Sequence, residues 1–255
     1  MSPKRPSLSF ASRGGSSAGS TPNPLPNGVT LCTDVSPAGW IEERLARHSD
    51  TVGQVMPDCF EAYARVLHPA SALDDTPVRW ATIATRTGRT PHALMQFERI
   101  AGLADDPNAR PTWGQRPLEG VAPVDELFSV LRVATDSKSC YFGLWDGFGG
   151  LDMIDEVVSA PRFRIPNLSY VLFRGPIEAV KAFGPSRPPW MTPNLWWPED
   201  RAWCVASDID LASTYVGARA ECIAALLREP GLEAFPARID DLIGLGADKI
   251  NPENR

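Results

Sequence analysis

The sequence predicts an α+β domain: a mixed β-sheet of about four to six strands packed by helices, with a helical portion on its N-terminal side. Three observations lead there. Helix-like apolar stripes crowd the first half, short apolar runs bounded by turn residues fill the second, and the run 202–209 is apolar on both faces, as a strand inside a sheet is.

Taken in order, Ser36 and Pro37 read as an N-cap and first-turn proline, and Trp40, Ile41 and Leu45 line one side of a helix running to about His48. Residues 60–67 fit a period of two (Phe60, Ala62, Ala64, Val66) and a helical stripe equally well; strand is the reading adopted. Residues 78–87 and 90–103 form two helices broken at Gly88, the second opened by Thr90 and Pro91. A helical N-terminal subdomain over 36–104 follows. Residues 105–122 are loop, and Val124, Leu127, Phe128 and Leu131 give the clearest helical spacing in the chain.

Beyond them, 140–145 is a short strand ended by Asp146-Gly147, and 163–165 with 169–173 forms a hairpin about Pro166-Asn167. Helices at 177–183 and 218–228 flank the buried strand, the last stopped by Pro230-Gly231.

Composition sets bounds on function. Lys4, Arg5 and Arg13 give the Ser-, Gly- and Pro-rich first 28 residues +3 of a net charge of −6, which leaves the single domain at 29–255 with −9. That balance argues against a nucleic-acid or anionic-membrane surface. The start has no apolar signal segment and reads as a disordered tail, although its Ser-rich, acid-free composition superficially resembles a transit peptide. Five cysteines without CxxC spacing fit free thiols in a reducing cytoplasm. No spanning segment of 18 or more apolar residues is present, and neither a metal nor a cofactor is expected.

Catalytic signatures are absent: there is no GxSxG, Walker loop, GxGxxG or HExxH, and none of His48, His68 and His92 neighbours a plausible Ser or Cys nucleophile in sequence. Two other constellations carry the candidate site. Trp190, Trp196, Trp197 and Trp203 fall within fourteen residues, half of all the tryptophans. Adjacent Trp196 and Trp197 in an extended chain point to opposite sides, so either the segment is covered on both faces or one indole lines a groove, with Arg201 close by. Downstream, Asp208 and Asp210 sit at the exit of the buried strand, Ser213 and Thr214 read as caps of the next helix, and Tyr215 follows. Parallel strands would carry Asp146, Arg174 and Asp208 to one rim. Such a rim suits a polar ligand, a divalent cation or mutual ion pairing.

Residues 78–103 hold Arg79, Arg86, Arg89 and Arg99 against Glu98, a local +3 in a helix-turn-helix pattern. Leu94, Met95, Phe97 and Ile100 cover much of the second helix, which argues against DNA binding.

The strings TPNLWWPEDRAWCVASDIDLASTYVG, FEAYARVLHPA, VRWATIATRTG and CYFGLWDGFG resemble a family of conserved proteins of high-G+C bacteria, from about residue 36 to the end. The scarcity of lysine, Lys4, Lys138, Lys181 and Lys249 among 25 basic residues, points to the same kind of genome. The resemblance implies a bacterial cytoplasmic protein and brings no activity, cofactor or catalytic residue with it. The residues thus favour a non-catalytic binding or regulatory protein, immunity-like or ligand-sensing, with an unidentified protein or small-molecule partner. An enzyme using Asp208 and Asp210, metal-assisted or not, is the alternative, and helix-turn-helix DNA binding a further one.

Overall fold

Valine and aromatic residues recur through the second half of the chain, where strands outnumber the helices set between them. A computed structural model describes residues 25–46, 49–101, 114–149, 151, 154–166, 168–183 and 192–251. Most of the predicted tail, His48, Trp190, Asn167 and residues 102–113 lie outside the described residues.

The strands are β1 (Thr30–Leu31), β2 (Ala62–Leu67), β3 (Ala70–Ser71), β4 (Pro77–Val78), β5 (Ser139–Trp145), β6 (Arg162–Ile165), β7 (Leu168–Pro176), β8 (Leu195–Pro198), β9 (Trp203–Ala206), β10 (Ser213–Ala218) and β11 (Glu233–Ala237). Nine form one sheet in the order β1-β7-β5-β8-β9-β10-β2-β11, with β6 also paired to β7; β3 and β4 make a separate pair. Every pairing is antiparallel. The helices are α1 (Gly39–Glu42), α2 (Trp80–Arg86), α3 (Phe97–Ile100), α4 (Val124–Leu131), α5 (Asp155–Val158) and α6 (Ala220–Arg228).

The α+β class therefore stands, while the expected four to six strands are nine and the mixed sheet is antiparallel. The helical N-terminal portion is also corrected. Residues 36–104 contribute α1, α2 and α3, of four, seven and four residues, together with β2, which lies inside the sheet between β10 and β11.

Alternation explains the sheet's position. Val66, Phe142, Phe173, Trp196, Val205 and Val216 point to one face, where Leu127 and Leu131 of α4 and Ile223 and Leu226 of α6 cover them. Leu172, Leu195, Trp197, Cys204 and Tyr215 point to the other, under Trp40, Ile41, Val52 and Met56. Burial of each large side chain contributes about 1.5–3 kcal/mol, so a sheet covered on both sides stays folded without cross-links. All five cysteines are free; Cys140, Cys204 and Cys222 are buried, Cys32 is half-buried and Cys59 is exposed.

A third cluster holds α2 and α3 against Leu67 through Trp80, Ile83, Phe97 and Ile100. Glu233 of β11 caps α2 from across the fold: its carboxylate accepts the Trp80 and Ala81 N–H groups at 2.6 and 2.7 Å. The predicted helix 90–103 shrinks to the single turn of α3 because its backbone is claimed elsewhere. Asn251 bonds both the N–H and the carbonyl of Thr90, and Asp248 accepts the N–H of Gln96. With α3 one turn long and Phe97 and Ile100 buried, the described residues present no recognition helix. None of the described helices is long and apolar enough to cross a membrane.

Candidate functional site

The end of β9 is fixed by Asn194. Its backbone accepts the Ser207 N–H at 2.7 Å, its Nδ2 donates to the Ser207 carbonyl, and its Oδ1 accepts the Trp145 N–H at 2.8 Å. Three strand ends are thereby locked together, and the chain leaves the sheet at Asp208. A turn follows, with the Asp210 N–H donating to Asp208 Oδ1 at 2.9 Å and the Leu211 N–H to the Asp208 carbonyl. Gly120 packs on this turn with φ +69°, and a Cβ there would meet Ile209 Cα at 3.2 Å.

Asp208 and Asp210 line a cleft of about 240 Å³ with Gln54, Val55, Ile165, Leu168, Tyr170 and Ile243. Its walls come from the turn at 52–54, the β6–β7 hairpin and the 243 segment. Its described lining has mostly apolar sides, the Gln54 amide, two carboxylates and no Lys, Arg or His. Burial raises the Asp208 carboxyl above the usual range, the Asp210 N–H pulls it back, and the Asp210 charge raises it further.

Tyr170 is only 3% exposed, and its ring stacks on Phe163 with centroids 5.3 Å apart. Burial, with Asp208 and Asp146 nearby, pushes its phenol upward. No described residue hydrogen-bonds its hydroxyl. Among the described residues Trp40 Nε1 is the one fully enclosed side-chain polar atom lacking a partner, so the Tyr170 hydroxyl is open to the cleft it lines.

Behind the cleft runs a sealed chain of hydroxyls. His68 Nδ1 lies 2.7 Å from the Leu118 carbonyl, which only accepts, so Nδ1 carries the proton. Nε2 then accepts from Thr214 Oγ1 at 2.8 Å, and Thr214 accepts from Ser207 Oγ at 2.7 Å. Ser207, Thr214 and His68 are each at most 1% exposed. A hydroxyl beside an oriented imidazole is the arrangement of acyl-transfer nucleophiles; here both hydroxyls are enclosed, while His68, itself 1% exposed, lines a second cleft of about 370 Å³ with Leu118, Val121 and Glu233. His68 lies 146 residues from Thr214 in sequence, which is why inspection of neighbours along the chain misses the arrangement.

Burial, against the bond to Leu118 and with Arg65 nearby, lowers His68 to about 4. The folded value lies below the ordinary 6.5, so as pH falls the unfolded chain takes up a proton that the folded one refuses. Stability should drop by about 3 kcal/mol between pH 7.5 and pH 4 from this group. Urea unfolding at both pH values checks it, because His68→Gln should lose that slope; an unchanged slope in the variant contradicts the assignment.

The chain matches no family model, no curated protein and no solved structure.

The other predicted residues sort by topology. Because β5 and β7 are antiparallel, Asp146 at the end of β5 lies beside Ser169 at the start of β7, whereas Arg174 stands five residues further along, about 17 Å at strand rise. Asp146 and Asp208 both bear on Tyr170, but Arg174 pairs with Glu199 at 3.0 Å, so the three-residue rim expected from parallel strands is corrected. Asp146 faces Arg162 at 3.7 Å. Trp196 and Trp197 are 0% and 1% exposed on opposite faces of β8, and neither lines a groove. Arg201, with φ +56°, lays its guanidinium 5.4 Å from the Trp40 ring. Ser213 and Thr214 are not helix caps but β10 residues, Ser213 accepting from the buried Arg65, and Tyr215 is buried beside them. Among the described residues no three His, Cys, Asp or Glu side chains converge as a metal site. Sequence reasoning reached Asp208 and Asp210 but missed Tyr170, whose one legible signal was its place in an apolar hairpin.

Proposed function

We propose that this chain is a non-catalytic ligand-sensing protein whose ligand sits in the Asp208 cleft. One observation carries the reading: the half-buried Asp208 carboxylate, which accepts the Asp210 N–H, and a nearly sealed phenol without a described hydrogen-bond partner share one small cleft. Buried polar groups left open in this way cost stability unless a ligand or solvent satisfies them. Binding without turnover is supported by the burial of Ser207 and Thr214, each at most 1% exposed, which keeps the hydroxyls bonded to the His68 imidazole away from a bound molecule.

Thermal unfolding of the whole protein against amines, amino acids, carboxylic acids and nucleosides tests this. A ligand at a hundredfold excess over its Kd adds about 2.7 kcal/mol and raises Tm by several degrees. The rise should be absent in the double variant Asp208→Asn, Tyr170→Phe. A rise that persists undiminished in that variant places the ligand elsewhere.

A further inference from the structure

We infer that the occupant of the Asp208 cleft is an organic monocation, a guanidinium or ammonium group carried on a short apolar stem. The inference rests on the reading of the cleft as a ligand seat and adds the chemistry of what fills it.

Charge selects the class. Among the described residues Asp208 and Asp210 are the only Asp, Glu, Lys, Arg or His side chains in the lining, and no described cation pairs with either. An anion entering there meets two like charges and finds no compensating donor from Lys, Arg or His. A bare divalent ion is served no better, since calcium and magnesium need about six oxygens at 2.0–2.6 Å. Asp208 Oδ1 already accepts the Asp210 N–H, and Val55, Ile165, Leu168, Leu211 and Ile243 offer carbon.

Shape and acceptor placement then select within cations. About 240 Å³ equals the liquid volume of roughly eight waters, enough for a planar head and a few methylenes. The apolar sleeve suits the stem. The Asp208 carboxylate accepts one edge of the head, and the Tyr170 hydroxyl oxygen accepts a second N–H, a pair of contacts that the rigid fork of a guanidinium reaches together. Burial holds Asp208 above the ordinary carboxylate range, and a cation beside it relieves that penalty. Asp210 at the mouth adds attraction at longer range.

Isothermal titration with n-butylguanidinium, n-butylammonium, neutral n-butylurea and anionic valerate provides the test. The guanidinium should bind at least about tenfold more tightly than the isosteric urea, the size expected of a charge-assisted hydrogen bond. Asp208→Asn should weaken the guanidinium by about tenfold or more, and Tyr170→Phe, which keeps the stack on Phe163, by about threefold to tenfold. Acetyl-arginine amide separates the sources of the head group. Binding equal to that of butylguanidinium indicates a partner protein's arginine, and its exclusion indicates a free small cation. Urea or valerate binding as tightly as guanidinium, with loss in Tyr170→Phe, overturns the cationic class and leaves the ligand seat standing. If none of the four compounds binds and the broader thermal survey is flat, the ligand seat itself is refuted.

Discussion

Replacing Asp248 with alanine is expected to lower the unfolding free energy by about 3–5 kcal/mol, the range for removing one member of a buried, fully bonded polar cluster. Its side chain is 0% exposed and gathers the N–H groups of Gln96 at 3.2 Å, Ile250 at 3.1 Å and Asn251 at 2.9 Å, the Asn251 amide at 3.0 Å and His92 Nε2 at 2.9 Å. Leu94 N–H donates to His92 Nδ1, so the proton of that ring sits on Nε2 and points at the carboxylate. Burial acts to raise the Asp248 carboxyl, but the bonds from Asn251, Gln96 and His92 together outweigh it and hold the group below its ordinary value. Its contribution is therefore complete near neutrality and is lost as pH falls towards the folded value. Urea midpoints at pH 7.5 give the change, and amide hydrogen exchange should accelerate first across 90–101. A loss under about 1 kcal/mol would mean that solvent replaces the carboxylate at little cost.

Trp197→Ala is expected to cost about 3–5 kcal/mol, as for other fully enclosed aromatics. The indole stacks on Tyr141 with centroids 5.6 Å apart and meets Trp40 and Phe163 edge-on at 6.2 and 6.4 Å. Removing it opens a cavity between the N-terminal segment and the sheet, which packed neighbours on both sides cannot close. Arg201→Ala, which takes away an exposed guanidinium from the far side of Trp40, should cost only about 0.5–1 kcal/mol. Denaturation of both variants decides the matter. A Trp197→Ala protein as stable as the parent would return that indole to the surface.

Much of the sheet was legible where one face dictates alternation. The hairpin of β6 and β7, the strands β2, β5 and β9, and the helices α4 and α6 all follow the periodicity of their residues. Six strands escaped, and the three longest of them did so for different reasons. In β8, the adjacent indoles left cover on both faces and a groove-lining tryptophan equally open, although two neighbouring indoles buried on opposite sides are what an interior strand requires. In β10, Ser213 and Thr214 carried a capping signal that sequence cannot distinguish from the β preference of Thr214, Tyr215 and Val216. β11, with Pro236 within it and no reading of 233–237 from the sequence, is an edge, where a missing N–H faces outwards. The helix expected at 90–103 failed because Asp248 and Asn251, some 150 residues distant, compete for its backbone. The candidate site was half visible: its acids announced themselves at the exit of an apolar run, while Tyr170 and the His68 chain depend on pairings across the sheet.

The placement of β2 between β10 and β11 has a kinetic consequence. His68 and Thr214 are separated by 146 residues, and both neighbours of β2 are synthesised long after it. At about 5–20 residues per second, a ribosome needs on the order of ten seconds to deliver the partners. Through that interval an apolar strand waits with both edges open, so the nascent chain depends on a holding chaperone or on provisional cover from the Trp80 cluster, and its yield should fall as translation slows.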